Sequence, residues 1–282
     1  MMPLLIADAG ATKTVWSLLS GNESKILRII SQGINPVQDS LETIDEKVLD
    51  IKKQLPDLKI GTIYYYGAGC ASDALKNKVY SSLNHYFKEA NIQVESDLLG
   101  AAVALFGDDE GIVGILGTGS NTGLYKKGKI TQKIPSLGYI LGDEGSGYAL
   151  GKKLLNGIFK KQFSNSFNKK FYENFPITLD ELIHQVYLEP KPVPFIASFA
   201  SFIKDNLDFE EMNLLVIKEF DNFFLKNIIP YGLNVSNNIG LVGSIAYSFG
   251  DLIRLSAEKY DISVIDIIKT PMPYLETYYM NK

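Results

Sequence analysis

The stretch LLIADAGATKTVWSLL, residues 4–19, sets a carboxylate (Asp8), a glycine (Gly10), a hydroxyl (Thr12) and an ammonium (Lys13) between two runs of strand-forming side chains. Such apolar runs broken by small and polar residues read as two strands joined by a hairpin. A bare hairpin needs only a turn dipeptide such as Asn-Gly or Asp-Gly. The surplus chemistry fits a ligand that approaches the backbone, because Gly10 leaves its path open while Thr12 and Asp8 offer a hydroxyl and a carboxylate. An ordinary polar hairpin is the plain alternative on this stretch alone.

A second segment of the same kind lies at GILGTGSNTG, where Gly117, Thr118, Gly119 and Ser120 form a glycine-rich turn between apolar runs. Successive backbone amides unobstructed by side chains are what phosphate oxygens need. Laying Gly10 on Gly119 matches the two hairpins loosely, and a repeated hairpin carries more weight than either copy. GLYKKGKI, residues 123–130, comes near the pattern G-x-x-x-x-G-K-[ST] but ends in Ile130 and is followed by no helix, so it reads as an exposed turn.

Three further segments place chemistry at element ends. ESDLLGAAVAL sets Asp97 after a strand and before a small-residue helix, where it can cap the helix or take a proton from an attacking hydroxyl. SLGYILGDEGSGYALGKKLL surrounds Asp143 with Gly142, Gly145 and Gly147 ahead of a helix that Ser146 is placed to cap. Helix polarity accounts for one acid there but not for the glycines, which favour a ligand loop. IGLVGSIAYSFGDLI ends a strand at Gly243 and Ser244, which alone is a common strand-to-helix turn.

These positions require a scaffold with strands ending side by side. The spacing predicts three strands (4–9, 14–19, 25–33), a helix from about 41 to 55, a strand at 60–69, a helix at 72–90, a strand at 92–96 and a helix after Asp97. The order then restarts: strands at 111–125 around the glycine turn and at 129–134, helices from roughly 146 to 230, a strand at 237–245, a helix at 247–260 and a strand at 262–268. The repetition predicts an α/β protein of two duplicated domains, each a mixed sheet flanked by helices, facing across a cleft. The boundary is expected near FGDDEG, giving an N-terminal domain 1–107 and a C-terminal domain 108–270, with a closing helix 271–282 that packs on either one.

The 282 residues suit two cores. A net charge of -4 opposes a nucleic-acid role, which needs a basic face. The chain begins without a cationic and apolar leader, and its apolar runs fall short of a membrane span, so a soluble, cytoplasmic protein with no membrane partner is expected. One cysteine, Cys70, excludes an internal disulfide and a multi-thiolate cluster within one chain. His85 and His184 sit apart in helical patterns, so transition-metal catalysis is not expected.

Taken in order, DAGATKT, GTGSNTG, GDEGSG and LVGSIA resemble the two phosphate motifs, the signature loop and the adenosine motif of the acetate and sugar kinase/Hsc70/actin superfamily. Within it they resemble the N-acetylglucosamine kinases grouped with the BadF/BadG/BcrA/BcrD ATPases. The resemblance implies two ribonuclease H-like domains, ATP and Mg2+ as cofactors, and phosphoryl transfer to a small-molecule amino sugar. It also implies roles. Asp8 would hold hydrated Mg2+; Gly10, Thr12, Lys13, Gly117, Thr118, Gly119 and Ser120 would approach the phosphates; Gly243 and Ser244 would border adenosine. Asp97 would be the general base, and Asn35, Thr118 and Asp143 would bind the sugar with it.

Two segments depart from the family pattern: Leu137 and Tyr139 stand in a segment where relatives carry a tryptophan, and YGAGCA replaces a serine-rich loop. N-acetylglucosamine therefore leads as acceptor, to give N-acetylglucosamine 6-phosphate, with glucosamine, N-acetylmannosamine and N-acetylmuramate open. An activator ATPase built around a cluster shared between chains is disfavoured by the single cysteine. A non-catalytic sugar sensor usually carries a DNA-binding segment ahead of the first strand, which here begins at residue 4. A homodimer through the aromatic-rich helices, as in relatives, competes with those aromatics simply forming the core.

Overall fold

The computed structural model describes all residues except 1, 11, 21–24 and 233–237, so Ala11 of the first turn and Asn237 at the start of an expected strand lie outside the described residues. The chain forms two compact units, residues 1–109 with 127–129 and 270–282, and residues 110–126 with 130–269.

The first unit holds β1 (Leu4–Ala9), β2 (Lys13–Ser20), β3 (Lys25–Gln32), β4 (Thr62–Gly67) and β5 (Asn91–Ser96) in the order β3-β2-β1-β4-β5. β2 runs antiparallel to β1 and β3, whereas β1, β4 and β5 are parallel. The pleat sends alternate residues to opposite faces. One face presents Leu5, Ala7, Trp16, Leu18 and Tyr65 to α1 (Leu41–Gln54) and α2 (Asp73–Tyr86), whose Ile44, Val48, Ile51, Val79 and Leu83 complete a buried core. Each large aliphatic buried there contributes about 1.5–3 kcal/mol.

The opposite face of this sheet carries α3 (Asp97–Phe106) and the terminal helix α13 (Met272–Met280), which packs on α3, β1 and β2. Glu276 of α13 is 2% exposed and accepts hydrogen bonds from Ser17 Oγ (2.7 Å) and Arg28 Nε (2.7 Å). Burial opposes the charge on Glu276, but the bonds from Arg28 and Ser17 outweigh it and hold the carboxyl below its ordinary value.

The second unit repeats the plan. β6 (Gly111–Leu116), β7 (Ser120–Lys126), β8 (Lys129–Gln132), β9 (Asn238–Val242) and β10 (Ser263–Ile268) form a sheet of order β10-β9-β6-β7-β8, the mirror listing of the first sheet's order. β8 is shorter than the expected 129–134 because the Ile134 amide turns away to the Tyr231 hydroxyl at 2.9 Å. Between β8 and β9 come α4 (Gly138–Leu141), α5 (Gly147–Phe159), α6 (Asn165–Asn174), α7 (Leu179–Tyr187), α8 (Pro192–Ser198), α9 (Ala200–Lys204) and α10 (Glu210–Phe223). α11 (Ser244–Ser248) and α12 (Gly250–Glu258) link β9 to β10.

Ser40, Ser72, Ser96, Ser146, Ser164 and Thr178 each cap a helix by accepting a backbone N–H three residues on. Each such cap is worth about 1 kcal/mol. The aromatic-rich segments are core rather than surface: Phe167, Phe171, Phe220, Phe223 and Phe224 are fully buried in the second unit. Among the described residues no helix is long and apolar enough to cross a membrane.

Candidate functional site

In the first unit the chemistry gathers where β1, β4 and β5 end together. The register aligns Ala9 with Gly67 and Gly67 with Ser96, so Asp8 and Asp97 stand at the carboxyl ends of strands separated only by β4. Two strand spacings put them about 10 Å apart along the sheet. Asp97 is the first residue of α3, and Ser96, not Asp97, caps the helix by accepting the Leu99 amide at 3.3 Å. The N-cap position is thus Ser96's, while Asp97 Oδ1 accepts the adjacent Leu98 amide at 2.8 Å.

Burial first and the charge of Asp97 second raise the Asp8 carboxyl from 3.8 to about 6, against the opposing effect of Lys13. Burial, and then Asp97, likewise push the Cys70 thiol up to about 12, so this thiol is a protonated, buried wall rather than a nucleophile.

The turn that follows β1 is closed by the Gly10 amide donating to Lys13 O at 2.9 Å, and Thr12 and Lys13 are exposed. Asn35 sits on the loop after β3. Its Oδ1 accepts the Val37 amide at 3.1 Å and its own amide donates to Asp39 at 2.8 Å, while Lys47 bridges Asp39 and Gly33 O. The Asn35 Nδ2 group is left as a donor. Gly69 packs beside it, since a Cβ there would lie 2.7 Å from Asn35 Oδ1.

In the second unit the turn 117–120 and the loop 142–147 are bonded into one body. Asp143, 8% exposed, accepts the Ser120 amide at 3.1 Å; Gly147 donates to Gly117 O at 2.8 Å and Tyr148 to Thr118 O at 3.1 Å. The Gly117 amide is itself taken by Gly119 O at 3.0 Å. Of the four amides expected to cradle phosphate, those of Thr118 and Gly119 are thus unengaged among the described residues. The Ser120 amide is committed to Asp143, which leaves its hydroxyl to offer. Burial raises the Asp143 carboxyl, the Ser120 bond opposes this, and neighbouring Glu144 adds to the rise.

Gly243 follows β9 with φ +126°, and a Cβ there would lie 2.2 Å from Leu116 O. Only glycine fits so close to the end of β6, and Ser244 begins α11 beside it. Sequence reasoning missed Glu219 on α10, which accepts the Gly145 amide at 2.8 Å from 74 residues away. No local pattern marks such a partner.

Among the described residues no cluster of three or more carboxylate, thiol or imidazole groups could enclose a metal. The Asp8 surroundings nonetheless fit a hydrated divalent cation held through one carboxylate, the usual mode for Mg2+. A buried carboxyl raised by a second acid, with only Lys13 opposing, is a place where added positive charge is favourable.

No protein-family model matches the chain, and no curated protein matches it in sequence. Among solved structures, it is similar to a Porphyromonas gingivalis protein provisionally named N-acetylglucosamine kinase, at 32% identity over 100% of this chain and 99% of that one, with a TM-score of 0.88. A Chromobacterium violaceum protein of the same provisional name shares the fold at 14% identity, 100% and 99% coverage and a TM-score of 0.78. A Streptomyces griseus ROK family glucokinase, solved with glucose and AMPPNP, shares it at 15% identity, 98% and 97% coverage and a TM-score of 0.56.

Proposed function

Because the chain belongs to the sugar kinases of the actin-like ATPase superfamily, we propose that it transfers the γ-phosphate of ATP to a hydroxyl of an amino sugar, with N-acetylglucosamine the leading acceptor and N-acetylglucosamine 6-phosphate its product. The observation that carries this reading is the pair of acids at the strand ends, Asp8 and Asp97, on a chain similar over its full length to a protein provisionally named for that reaction.

In this reading Asp97 accepts the proton of the attacking hydroxyl, and its place at the start of α3 suits that work because capping belongs to Ser96. The Asn35 amide group holds acceptor hydroxyls, as does Asp143 with whatever capacity the Ser120 bond leaves. Gly10, Thr12, Lys13, Gly117, Thr118, Gly119 and the Ser120 hydroxyl hold the phosphates, while Gly243 and Ser244 border the adenosine. Asp8 holds hydrated Mg2+, which when bound supplies positive charge to the phosphate oxygens. Phosphoryl transfer asks for positioning and charge stabilisation more than for covalent chemistry, which suits a site of glycine turns and acids.

The test is ADP release from Mg-ATP against a panel of amino sugars, neutral sugars and no acceptor, with mass spectrometry of the product. Turnover that depends on N-acetylglucosamine and adds one phosphate to it supports the reading. Equal ADP release with and without every sugar rejects it in favour of an ATPase that serves another partner.

A further inference from the structure

Glu219 is 1% exposed among the core residues of α10, where Met212, Val216, Phe220 and Phe223 are buried beside it. An ionisable side chain in such a place is costly unless it is paired and hydrogen-bonded. Oε1 accepts the Gly145 amide at 2.8 Å, and Oε2 lies 2.6 Å from Lys153 Nζ on α5. The Lys153 ammonium pairs with Oε2 as its countercharge. The directed bond is the one to Gly145.

Gly145 has φ +77°, and a Cβ there would lie 2.9 Å from Phe223 Cβ, so the loop is pressed against α10 in a conformation that side chains resist. Two residues before it, Asp143 holds the Ser120 amide; two residues after it, Gly147 donates to Gly117 O. Glu144 between them is tied to Lys226 at 3.0 Å and Asn227 at 3.2 Å. Glu219 thus anchors the middle of the segment whose two ends grip the 117–120 turn.

We propose that Glu219 is a positioning residue: by accepting the Gly145 amide it sets the orientation in which Asp143 meets the turn and, on the reading of Asp143 given above, the acceptor sugar. Lys153 supplies the countercharge. The reach of the carboxylate, more than its charge, carries the effect.

Three variants of the full chain separate reach from charge. Glu219→Gln keeps an oxygen for Gly145 and loses the charge; Glu219→Asp keeps the charge and withdraws the oxygen by one methylene; Asp143→Asn is the benchmark. Steady-state kinetics with Mg-ATP and N-acetylglucosamine are expected to give Glu219→Gln an acceptor KM within threefold of the parent. Glu219→Asp is expected to raise that KM about tenfold or more with the ATP KM within twofold. Amide hydrogen exchange, which needs no turnover, is expected to rise about tenfold or more over 142–147 and 117–120 in Glu219→Asp and to stay unchanged in Glu219→Gln.

The opposite order, with Glu219→Asp benign and Glu219→Gln impaired or unfolded, overturns the proposal, because charge would then be what matters. So does unchanged exchange in Glu219→Asp. If exchange rises as expected while Asp143→Asn leaves the acceptor KM unmoved, the tether stands and the assignment of Asp143 to the sugar falls. If Asp143→Asn raises the acceptor KM and Glu219→Asp does not, the sugar assignment stands and the positioning role falls.

Discussion

The carboxylate of Asp143 accepts the backbone N–H of Ser120 at 3.1 Å, which makes the loop 142–147 and the glycine turn 117–120 a single hydrogen-bonded body. The turn's shape is therefore set by a residue more than twenty positions away, and substitutions in the turn are felt through that carboxylate.

At Gly119 a Cβ would lie 2.8 Å from Asp143 Oδ2, whereas at Gly117 it would meet nothing within 4 Å. Gly119→Ala is expected to displace Asp143, leave the Ser120 amide unpaired and cost about 1–3 kcal/mol of stability. Gly117→Ala is expected to change stability by no more than about 0.5 kcal/mol while weakening ATP binding, since the methyl group would stand in open space on the turn proposed to hold the phosphates. Thermal melts and nucleotide titrations of the two variants check this, and equal destabilisation by both contradicts it.

Asp97→Asn removes the proposed general base but leaves the Ser96 cap of α3 intact. The expected result is a fall in kcat of about 10²- to 10⁴-fold with the dissociation constant for ATP preserved. Near-normal turnover would sink the base assignment.

Asp8 gives a pH signature. Its carboxyl is raised from 3.8 to about 6, chiefly by burial and then by Asp97, so the folded state favours the protonated form. The stabilisation this brings is fully present below the unfolded value and is lost as pH rises through the folded one. Asp8→Asn should therefore match the parent protein near pH 4 and exceed it above about pH 6, by up to about 3 kcal/mol and by less in so far as the partly accessible carboxyl is solvated, while losing kinase activity. Melting temperatures of both proteins from about pH 4 to about pH 8 test this; a gap independent of pH contradicts it.

The terminal helix gives the opposite sign. Although burial alone would raise Glu276, its bonds from Arg28 and Ser17 hold its carboxyl below the ordinary value, so that contribution is present above the unfolded value and lost as pH falls through the folded one. Glu276→Gln is expected to lower stability by about 1–3 kcal/mol at neutral pH, with the gap closing in acid. Denaturant unfolding at pH 7 and below pH 4 reads it directly.

Much of this was legible in the sequence because it is local. Alternating apolar residues set β1 and β2, helical spacing set α1 and α2, and glycines with serine caps marked where elements stop, since these depend on neighbours within a few positions. The repeat of strand-glycine turn-strand around Gly10 and Gly119 disclosed the duplication, and the two sheets of identical strand order bear it out. The acids were found in the same way, since Asp8 and Asp97 lie at strand ends that the pattern itself locates.

What escaped was each choice between equivalent local options. Ser96 and Asp97 are both good caps, and the sequence does not say which takes the work; Ser120 offers an amide like its neighbours until Asp143 claims it. α13 could join either half until Glu276 meets Ser17 and Arg28, 259 and 248 positions earlier. Glu219 reads as one more acid on an amphipathic helix until Gly145 arrives at its oxygen. The sequence alone determined the elements and their order, because periodicity and turn chemistry are properties of adjacent residues, and its motifs marked the residues proposed for phosphoryl transfer. Only the tertiary structure decided which hydrogen-bonding groups are already occupied and which remain for a ligand, because a buried donor or acceptor finds its partner in space and not along the chain.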